Sequence, residues 1–373
     1  RISSLLQQKA HQTILEIDMN ALVNNLNIFR SLLMPATKIM VMVKAFSYGS
    51  GDVEIAKLLQ FQNVDYLAVA VADEGVVLRH SGIQIPVMVM NPEEHSFQNM
   101  IDYSLEPNIY SVSLLRKFMK TVSQNSIIQF PVHIKIDTGM NRLGFKEESD
   151  IDALIGELTD CNQVRIKTVF SHLAAADDPE MDAFTWQQIK SFEDISERIL
   201  KVFPYHIDRH ILNSAGIERF PEKQFDMVRL GIGLYGISLT QLPLQSISTF
   251  RSTVSQIKKV NPGETVGYNR MGKIADRRDI AIVPVGYADG LDRRLGNGTG
   301  QAFIKGQRVP VVGNICMDML MLDVTGLNVV AGDSVEFFGN NIPVSEVAEK
   351  TGTIPYEILT GVSQRVKRVY MYE

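Results

Sequence analysis

The sequence predicts an α/β protein: a (β/α)8 TIM-like barrel followed by a C-terminal, mostly β domain. Short apolar segments alternate with amphipathic segments in the first part of the chain, and about eight strand–helix units fit into about 200 residues, the rhythm of such a barrel. After Gly236 the helical periodicity fades, and short β-rich runs lie between Gly, Pro and Asn turns. An open, doubly wound sheet is the alternative topology for the first part.

The predicted elements follow one another in a regular order. An apolar run predicts a first strand at Thr13–Ile17, and helical periodicity predicts a helix over Asn20–Leu33. Further barrel strands are predicted at Ile39–Val43, Tyr66–Val71, Pro86–Met90, Pro107–Tyr110, Val132–Ile136, Val164–Phe170, Ile207–Leu212 and Asp226–Leu230. Amphipathic segments lie between them at Val53–Phe61, Asp73–Arg79, Ser113–Val122, Asp150–Leu158 and Ala183–Val202. In the second domain, β-rich runs lie at Thr253–Val260, Ile280–Val285, Ala302–Lys305, Val309–Val312, Met319–Val324 and Ser334–Phe337.

Charge and cysteine content exclude several classes of protein. The 373 residues include 37 Lys and Arg against 42 Asp and Glu, a net charge of −5, so no global field attracts nucleic acid or anionic lipid. No apolar run approaches the roughly 18 residues that span a bilayer, and the N-terminus lacks a signal-peptide core. Cys161 and Cys316 have neither a disulfide framework nor zinc-ligand spacing. We expect a cytoplasmic protein without metal, membrane or nucleic-acid partner.

Lys44 is the first candidate for chemistry. It follows the apolar run Ile39–Val43, and the carboxyl ends of strands are where a barrel places reactive groups. Burial lowers the pKa of an amine, and a neutral amine can form a Schiff base. The glycines at 49 and 51 would let backbone N–H groups approach a phosphate. The alternative is a lysine that simply leaves the core at the end of a strand.

Further candidates follow other predicted strands. Strand alternation over Val132–Ile136 places Lys135 on one face, and Arg142 lies in the glycine-bracketed loop that follows. Its planar guanidinium suits a carboxylate or phenolate, although an ion pair with Asp137 is the structural alternative. His172 ends another strand, where a catalytic role and a satisfied core histidine are about equally expected.

Three more stretches contain possible anion-binding or acid–base groups. Ser214 follows a strand, and Arg229 ends one before a glycine-rich run, so both could bind an anion. In the β domain, Tyr268 and Tyr287 lie in glycine turns, where tyrosines are commonly only exposed aromatics. His206 and His210 have i,i+4 spacing but lie in a strand-like run without an accompanying Glu, which argues against a metal site.

Taken together and in this order, these motifs resemble the alanine racemases, the barrel-type (fold-type III) family of pyridoxal-phosphate enzymes. The similarity runs from about Ile14 to Tyr370. It implies that Lys44 forms the Schiff base with pyridoxal 5'-phosphate and that Tyr268 is the second catalytic base. It implies cofactor contacts for Tyr48, His172, Ser214, Arg229, Gly231, Ile232 and Tyr356. It implies substrate contacts for Arg142, Met317, Asp318 and Tyr287, and Lys135 matches a lysine that is carbamylated in many members.

The activity implied by the resemblance is interconversion of L-alanine and D-alanine by a two-base (Lys/Tyr) mechanism, supplying D-alanine for peptidoglycan. A serine or broad-specificity racemase, or a basic amino-acid decarboxylase of the same fold, are the alternatives. The family also implies a homodimer with shared active sites, in which Tyr268 comes from the other subunit. Where the family usually has Asn two residues after the lysine this chain has Phe46, so the packing there is expected to differ.

The expected domain boundaries combine periodicity and resemblance. Residues 13–240 form the barrel and residues 241–373 the C-terminal β domain, while the first strand joins the β domain in the family fold. Residues 1–12 are expected to be an extension or linker remnant, because racemase domains of this family occur fused behind a Mur ligase.

Overall fold

The computed structural model describes residues 11–372, apart from the side chain of Asp52. Eight parallel strands form one barrel sheet in the order β8-β7-β6-β5-β4-β3-β2-β9. They are β2 (Lys38–Met42), β3 (Tyr66–Val69), β4 (Val87–Val89), β5 (Leu105–Ile109), β6 (Phe130–Lys135), β7 (Val164–Phe170), β8 (Asp208–His210) and β9 (Met227–Leu230). The predicted barrel is thus confirmed, and the doubly wound alternative is wrong.

The sheet closes into a barrel because β9, at one end of this order, is hydrogen-bonded to β8, at the other end. Strand β2 pairs with both β3 and β9. Between β8 and β9, the backbone N–H of Arg229 donates to Leu212 O at 2.9 Å, and Asp226 N donates to Arg209 O at 3.2 Å. Strands β3 and β4 are buried on both faces, which explains why they appear in the sequence as continuous apolar runs, whereas β7 alternates buried and exposed residues in its first half.

Helices surround the barrel and pack on it through apolar faces. They are α1 (Met19–Ser31), α2 (Lys44–Tyr48), α3 (Asp52–Phe61), α4 (Ala72–His80), α5 (Phe97–Asp102), α6 (Val112–Gln124), α7 (Glu148–Thr159), α8 (Asp182–Leu200) and α9 (Ser214–Arg219). Helix α6 is typical: the Ser111 side chain caps it by accepting from Leu114 N, and Leu115, Phe118 and Val122 are buried. Helix α1 begins one residue earlier than predicted because Asp18 caps it, accepting from Ala21 N at 2.8 Å.

The C-terminal domain contains three sheets. Its strands are β10 (Ser248–Thr253), β11 (Gln256–Val260), β12 (Thr265–Val266), β13 (Gly272–Lys273), β14 (Arg278–Val283), β15 (Gln301–Ile304), β16 (Gln307–Pro310), β17 (Leu320–Asp323), β18 (Ser334–Phe338) and β19 (Lys367–Met371). Helices α10 (Val344–Thr351) and α11 (Pro355–Thr360) precede the last strand. The sheets have the orders β16-β15-β18-β10-β1-β19, β11-β14-β17 and β12-β13.

Strand β1 (Ile14–Asp18) belongs to the C-terminal sheet and not to the barrel. It pairs antiparallel with β10 and parallel with β19. The chain therefore begins its described structure in one domain, builds the barrel, and then returns to complete the first sheet. The expected extension at residues 1–12 falls largely outside the described residues; of it, Gln12 accepts a hydrogen bond from the Thr253 hydroxyl.

Two predicted strands have different bounds in the structure. The run Thr253–Val260 is not one strand, because Val254 N donates to Asp333 O and Ser255 N to Ile282 O, so the chain passes there from one sheet to another. The run Ile207–Leu212 contributes only β8, because Asn213 begins α9 by accepting from Gly216 N. Among the helices that the structure describes, none has the length and apolar character needed to cross a membrane.

Candidate active site

Lys44 lies at the carboxyl end of β2, where the backbone makes an unusual left-handed turn. Ala45, Phe46 and Ser47 have φ of 53°, 59° and 48°, and Gly49 ends the turn with φ of 83°. Each non-glycine residue in this region costs roughly 1–2 kcal/mol. A turn of this kind persists only when the surrounding structure stabilises it, and such strain is found mainly at functional sites.

Glu74 on α4 stabilises this turn from the barrel side. Its Oε1 accepts from Ala45 N and its Oε2 from Ala70 N, both at 2.7 Å. The C-terminal domain contacts the other end: Arg368 Nε donates to Gly49 O at 2.9 Å, and the Tyr370 hydroxyl donates to Ser50 O at 3.0 Å. The turn that follows Lys44 is therefore hydrogen-bonded to both domains.

Cationic side chains dominate the electrostatics around Lys44. Burial lowers the pKa of Lys44, the charge of Arg142 lowers it further, and Glu74 acts in the opposite direction. Burial, followed by the charges of Arg142 and Arg229, lowers the pKa of Lys135 to about 8. The positive groups thus outweigh the carboxylates near them, and the site favours an anionic ligand and a neutral amine.

Arg142 is exposed in the loop after β6. Asp137 does not pair with it; its Oδ1 instead accepts from Gly139 N and Asn141 N, each at 3.0 Å, and so shapes the loop. A side chain at Gly144 would fall 2.6 Å from Asp137 N, which shows how closely the loop folds back on itself. The structural alternative for Arg142 is thus wrong among the described residues, and its guanidinium stays available for an anion.

Arg229 on β9 is fully buried and fixed by several acceptors. Its Nη2 donates to Ser171 O at 2.7 Å and lies 3.1 Å from His172 Nδ1, and its Nη1 lies 2.7 Å from His210 Nδ1. Burial and the charge of Arg142 lower the pKa of Arg229 to about 9, so the guanidinium is still charged at pH 7. Burial and the same charge of Arg229 lower the pKa of His172, which is therefore neutral. These hydrogen bonds, together with one from Nη2 to Ile211 O at 3.2 Å, use Nη1 and Nη2 and not Nε.

A small, polar pocket lies at the end of β9. The hydroxyl of Ser214 accepts from Gly231 N at 3.0 Å and from Gly233 N at 3.1 Å, and a Cβ at Gly231 would fall 2.9 Å from the Tyr48 hydroxyl. Tyr48 stacks on Tyr235 at a centroid distance of 4.5 Å. Hydroxyls and backbone N–H groups around a position without a side chain are the donor set of a phosphate site.

Two other predicted residues flank this pocket. Tyr356 on α11 lies 6.0 Å from Tyr48 between ring centroids, and burial raises its pKa to about 12, so it is a neutral donor. Ile232 lies between Gly231 and Gly233 and is buried, with 1% exposure.

The predicted residues of the C-terminal domain form a separate surface. Tyr268 is 69% exposed, and with Met317 and Asp318 it lines an open cavity of about 660 Å³ whose lining does not include Lys44. Asp318 pairs with Arg365 at 2.6 Å. Tyr287 lies in a neighbouring groove with Arg293 and Glu357. The described chain therefore brings together the barrel residues but does not bring Tyr268 to Lys44.

Sequence reasoning missed three residues of the site. Glu74 lies on an ordinary amphipathic helix, Tyr235 lies in a glycine run without special spacing, and His210 was considered only beside His206. In the structure these two histidines separate, because His206 contacts Asp208 at 2.7 Å while His210 contacts Arg229. The signal for His210 was its position at the carboxyl end of a barrel strand, which it shares with Lys44 and His172.

A TIM-like barrel with a buried strand-end lysine, a cationic surround and a phosphate-type pocket defines a class of barrel enzymes that hold an anionic cofactor beside a reactive amine. Residues 17–239 match the family model "Alanine racemase, N-terminal domain", and residues 247–370 match "Alanine racemase, C-terminal domain". The chain belongs to the alanine racemase family.

Known relatives share the whole length of the chain. An alanine racemase of Clostridium kluyveri is 35% identical, over 95% of this chain and 93% of its own, and one of Methanococcus maripaludis is 34% identical, over 97% and 100%. Among solved structures, an alanine racemase of Clostridium difficile has a TM-score of 0.92 at 34% identity, covering 98% and 97% of the two chains. One from Bartonella henselae with covalently bound pyridoxal phosphate has a TM-score of 0.86 at 30% identity, covering 96% and 99%.

Proposed function

We propose that this chain interconverts L-alanine and D-alanine with pyridoxal phosphate bound at the carboxyl end of the barrel. The observation that carries this proposal is the partly buried Lys44, whose amine feels the charges of Arg142 and Arg229 at the end of a barrel strand. Membership in the alanine racemase family supports the substrate. D-alanine made in this way would serve peptidoglycan synthesis.

The residues present fit pyridoxal phosphate. The hydroxyls of Ser214 and Tyr48 lie beside Gly231, where a Cβ would obstruct, and they suit the phosphate as donors. Nε of Arg229, which takes part in none of the hydrogen bonds described above, suits the pyridine nitrogen, and a charged guanidinium there keeps that nitrogen unprotonated. When bound, the cofactor supplies an electron-withdrawing system that makes the α-hydrogen of the amino acid acidic. His172, Ile232 and Tyr356 would complete its contacts.

Two bases on opposite faces of the α-carbon are the direct route to racemisation. Lys44 provides one, because burial lowers its pKa and increases the neutral fraction of the amine. It would handle the α-proton of D-alanine. Tyr268 would handle the α-proton of L-alanine with its phenol oxygen.

Substrate recognition would combine both domains. Arg142 has no carboxylate partner among the described residues and would bind the substrate carboxylate. Met317 and Tyr287, exposed by 53% and 43%, would close on a small side chain such as methyl, and Asp318 would border the same space. These contacts favour alanine over larger amino acids.

Lys135 would carry a carbamate. The lowered pKa leaves a useful fraction of its amine neutral near pH 7.5, and the neutral amine attacks carbon dioxide, forming an N–C bond and releasing a proton. The resulting anion would pair with the guanidinium of Arg142. The carbamate would thereby offset the excess of positive charge around Lys44 and Lys135.

We further propose a homodimer with shared active sites in the cytoplasm. Tyr268 is too exposed on its own chain to act in a site that excludes water, and the cavity it lines lacks Lys44. A second copy that places its barrel mouth against this surface would bring the two bases together and cover Met271, Met317 and Met319. The two unpaired cysteines suit a reducing compartment.

Exchange of the α-proton of alanine in deuterated water tests the two bases. Tyr268→Phe should lose exchange from L-alanine and keep exchange from D-alanine, whereas Lys44→Ala should lose both and no longer be trapped with cofactor by borohydride. The matched control is Tyr372→Phe, since Tyr372 is also an exposed tyrosine, and it should behave as wild type. Wild-type rates in both directions for Tyr268→Phe would refute the scheme.

Mixing the two inactive variants tests the shared site. If each site takes Lys44 from one chain and Tyr268 from the other, a heterodimer of Lys44→Ala with Tyr268→Phe has one intact site. Random reassociation should then restore about a quarter of the wild-type activity. No recovery, although mixed dimers form, would show that each chain builds its own site.

A further inference from the structure

A continuous chain of hydrogen bonds runs through the interior of the barrel and ends at Arg229. His210 Nδ1 lies 2.7 Å from Arg229 Nη1, and His210 Nε2 lies 2.8 Å from the Thr168 hydroxyl. The same hydroxyl lies 2.8 Å from His133 Nδ1, and His133 Nε2 lies 2.7 Å from Glu106 Oε2. All four inner residues are buried, and they come from the neighbouring strands β8, β7, β6 and β5.

The direction of every bond in this chain follows from its Arg229 end. A guanidinium has only donors, so Nδ1 of His210 must accept and its proton must be on Nε2. That Nε2–H donates to Thr168, and since His133 Nδ1 is the remaining partner of the Thr168 hydroxyl among the described residues, the hydroxyl proton donates to His133 Nδ1. Nε2 of His133 therefore carries its proton and donates to Glu106.

Each other arrangement leaves a buried donor without an acceptor among the described residues. If His133 were doubly protonated, the Thr168 oxygen would accept from both histidines, and its own buried proton would have no acceptor. Both histidines are consequently neutral, with the proton on Nε2. Burial and the charge of Arg229 also lower the pKa of His210, in agreement with this state.

Glu106 is the carboxylate at the far end of the chain. Its Oε2 also accepts from the Tyr66 hydroxyl at 2.9 Å, which leaves this buried oxygen with two donors. Among the described residues, no carboxylate forms an ion pair with Arg229. All bonds in the chain are polarised in one direction, from the guanidinium toward Glu106.

We propose that Glu106, His133, Thr168 and His210 are positioning residues that fix the orientation of Arg229 and thereby its contact with the pyridine nitrogen. They touch neither substrate nor cofactor and act through the guanidinium alone. This inference rests on the role proposed above for Arg229. Its structural part, the Nε2–H tautomer of both histidines, does not depend on Lys44 or Tyr268.

Long-range ¹H–¹⁵N correlation spectra of the holoenzyme, labelled in its seven histidines, report the tautomer of each ring. In the wild type, His133 and His210 should both carry the proton on Nε2. Thr168→Val keeps the shape but removes the hydroxyl, so His210 should become a mixture of tautomers. The matched control Thr168→Ser keeps a hydroxyl and should retain the single tautomer.

Steady-state kinetics provide the second measurement. Thr168→Val should lower kcat by about 3- to 30-fold while KM for alanine changes by less than about twofold, since Arg142 is untouched. Thr168→Ser should recover most of kcat. An Nδ1–H tautomer of His210 in the wild type would overturn the inference. So would a Thr168→Val enzyme that loses thermal stability but keeps both its tautomer and its kcat.

Discussion

The α-carbon of Gly231 faces the hydroxyl of Tyr48 so closely that a Cβ there would lie 2.9 Å from that oxygen. Tyr48 cannot easily move away, because its ring stacks on Tyr235, whose own hydroxyl donates to Met42 O at 2.9 Å. The Tyr48 hydroxyl is therefore held beside the backbone of Gly231 by a rigid pair of aromatic rings. We assign the phosphate to the position beside this contact.

Gly231→Ala should weaken cofactor binding. The added methyl group strains the pocket by roughly 1–3 kcal/mol and obstructs the phosphate, so the dissociation constant of pyridoxal phosphate should rise about tenfold or more. Fluorescence or absorbance titration of cofactor-free protein measures it. Gly156→Ala is the control, since a Cβ at Gly156 meets nothing within 4 Å, and it should leave the dissociation constant unchanged.

Lys135 should make the stability of the cofactor-free protein dependent on pH. Its pKa falls from 10.5 to about 8 on folding. Below about pH 8 the folded chain therefore holds a buried ammonium, which lowers the free energy of unfolding by about 3 kcal/mol. Between about pH 8 and 10.5 the folded chain has lost this proton while the unfolded chain still binds it. Stability relative to Lys135→Met should therefore rise with pH over this range.

Urea unfolding in bicarbonate-free buffer measures that difference. Lys135→Met removes the titrating amine and keeps a similar volume, so it should be the more stable protein at pH 7 and lose this advantage by pH 10.5. A constant difference across the range would contradict the assignment. With added bicarbonate, the gap at pH 8 should narrow, because carbamylation neutralises the amine.

Glu74→Ala should destabilise the protein through the left-handed turn. The substitution removes two charge-assisted hydrogen bonds to the backbone N–H groups of Ala45 and Ala70, so we expect a loss of about 2 kcal/mol. It should also lower the pKa of Lys44 further, because Glu74 is the group that raises it. Asp73→Ala, one residue away and exposed, should change stability by less than about 0.5 kcal/mol.

Position 46 offers a test of backbone strain. Phe46 has φ of 59°, a conformation that Asn tolerates better than other residues with a side chain, and its ring lies 5.2 Å from the Arg368 guanidinium. Both Phe46→Asn and Phe46→Ala remove this ring contact. Phe46→Asn should therefore be more stable than Phe46→Ala by about 1 kcal/mol in thermal unfolding. Equal stability would show that the turn is not strained at this residue.

The barrel was predictable because its physical signature is local. Strands such as β3 and β4 are buried on both faces and appear as uninterrupted apolar runs, so they could be located without knowing their neighbours. Helices α5, α10 and α11 were not predicted. Each has eight residues or fewer and depends on packing, so its periodicity is too short to stand out.

The site was predictable where it lies at strand ends and not where it depends on contacts across the fold. Lys44, His172 and Arg229 each end a strand, so barrel geometry placed them in one region. The left-handed turn was not foreseen, because neither Ala45 nor Phe46 favours it locally. The turn is stabilised by Glu74, which is distant in sequence from Ala45. This contact forms only when helix α4 packs beside strand β2, so it could not be predicted from the local sequence.

The position of β1 between β10 and β19 has a consequence for the order of synthesis. During synthesis, residues 14–18 emerge before the barrel, yet both their partner strands follow the entire barrel, so this segment remains without its partners while the barrel folds. A fragment that starts after the barrel would have a gap in the middle of its main sheet. Supplying the missing segment as a separate peptide should restore that sheet, as in a split protein whose halves reassemble.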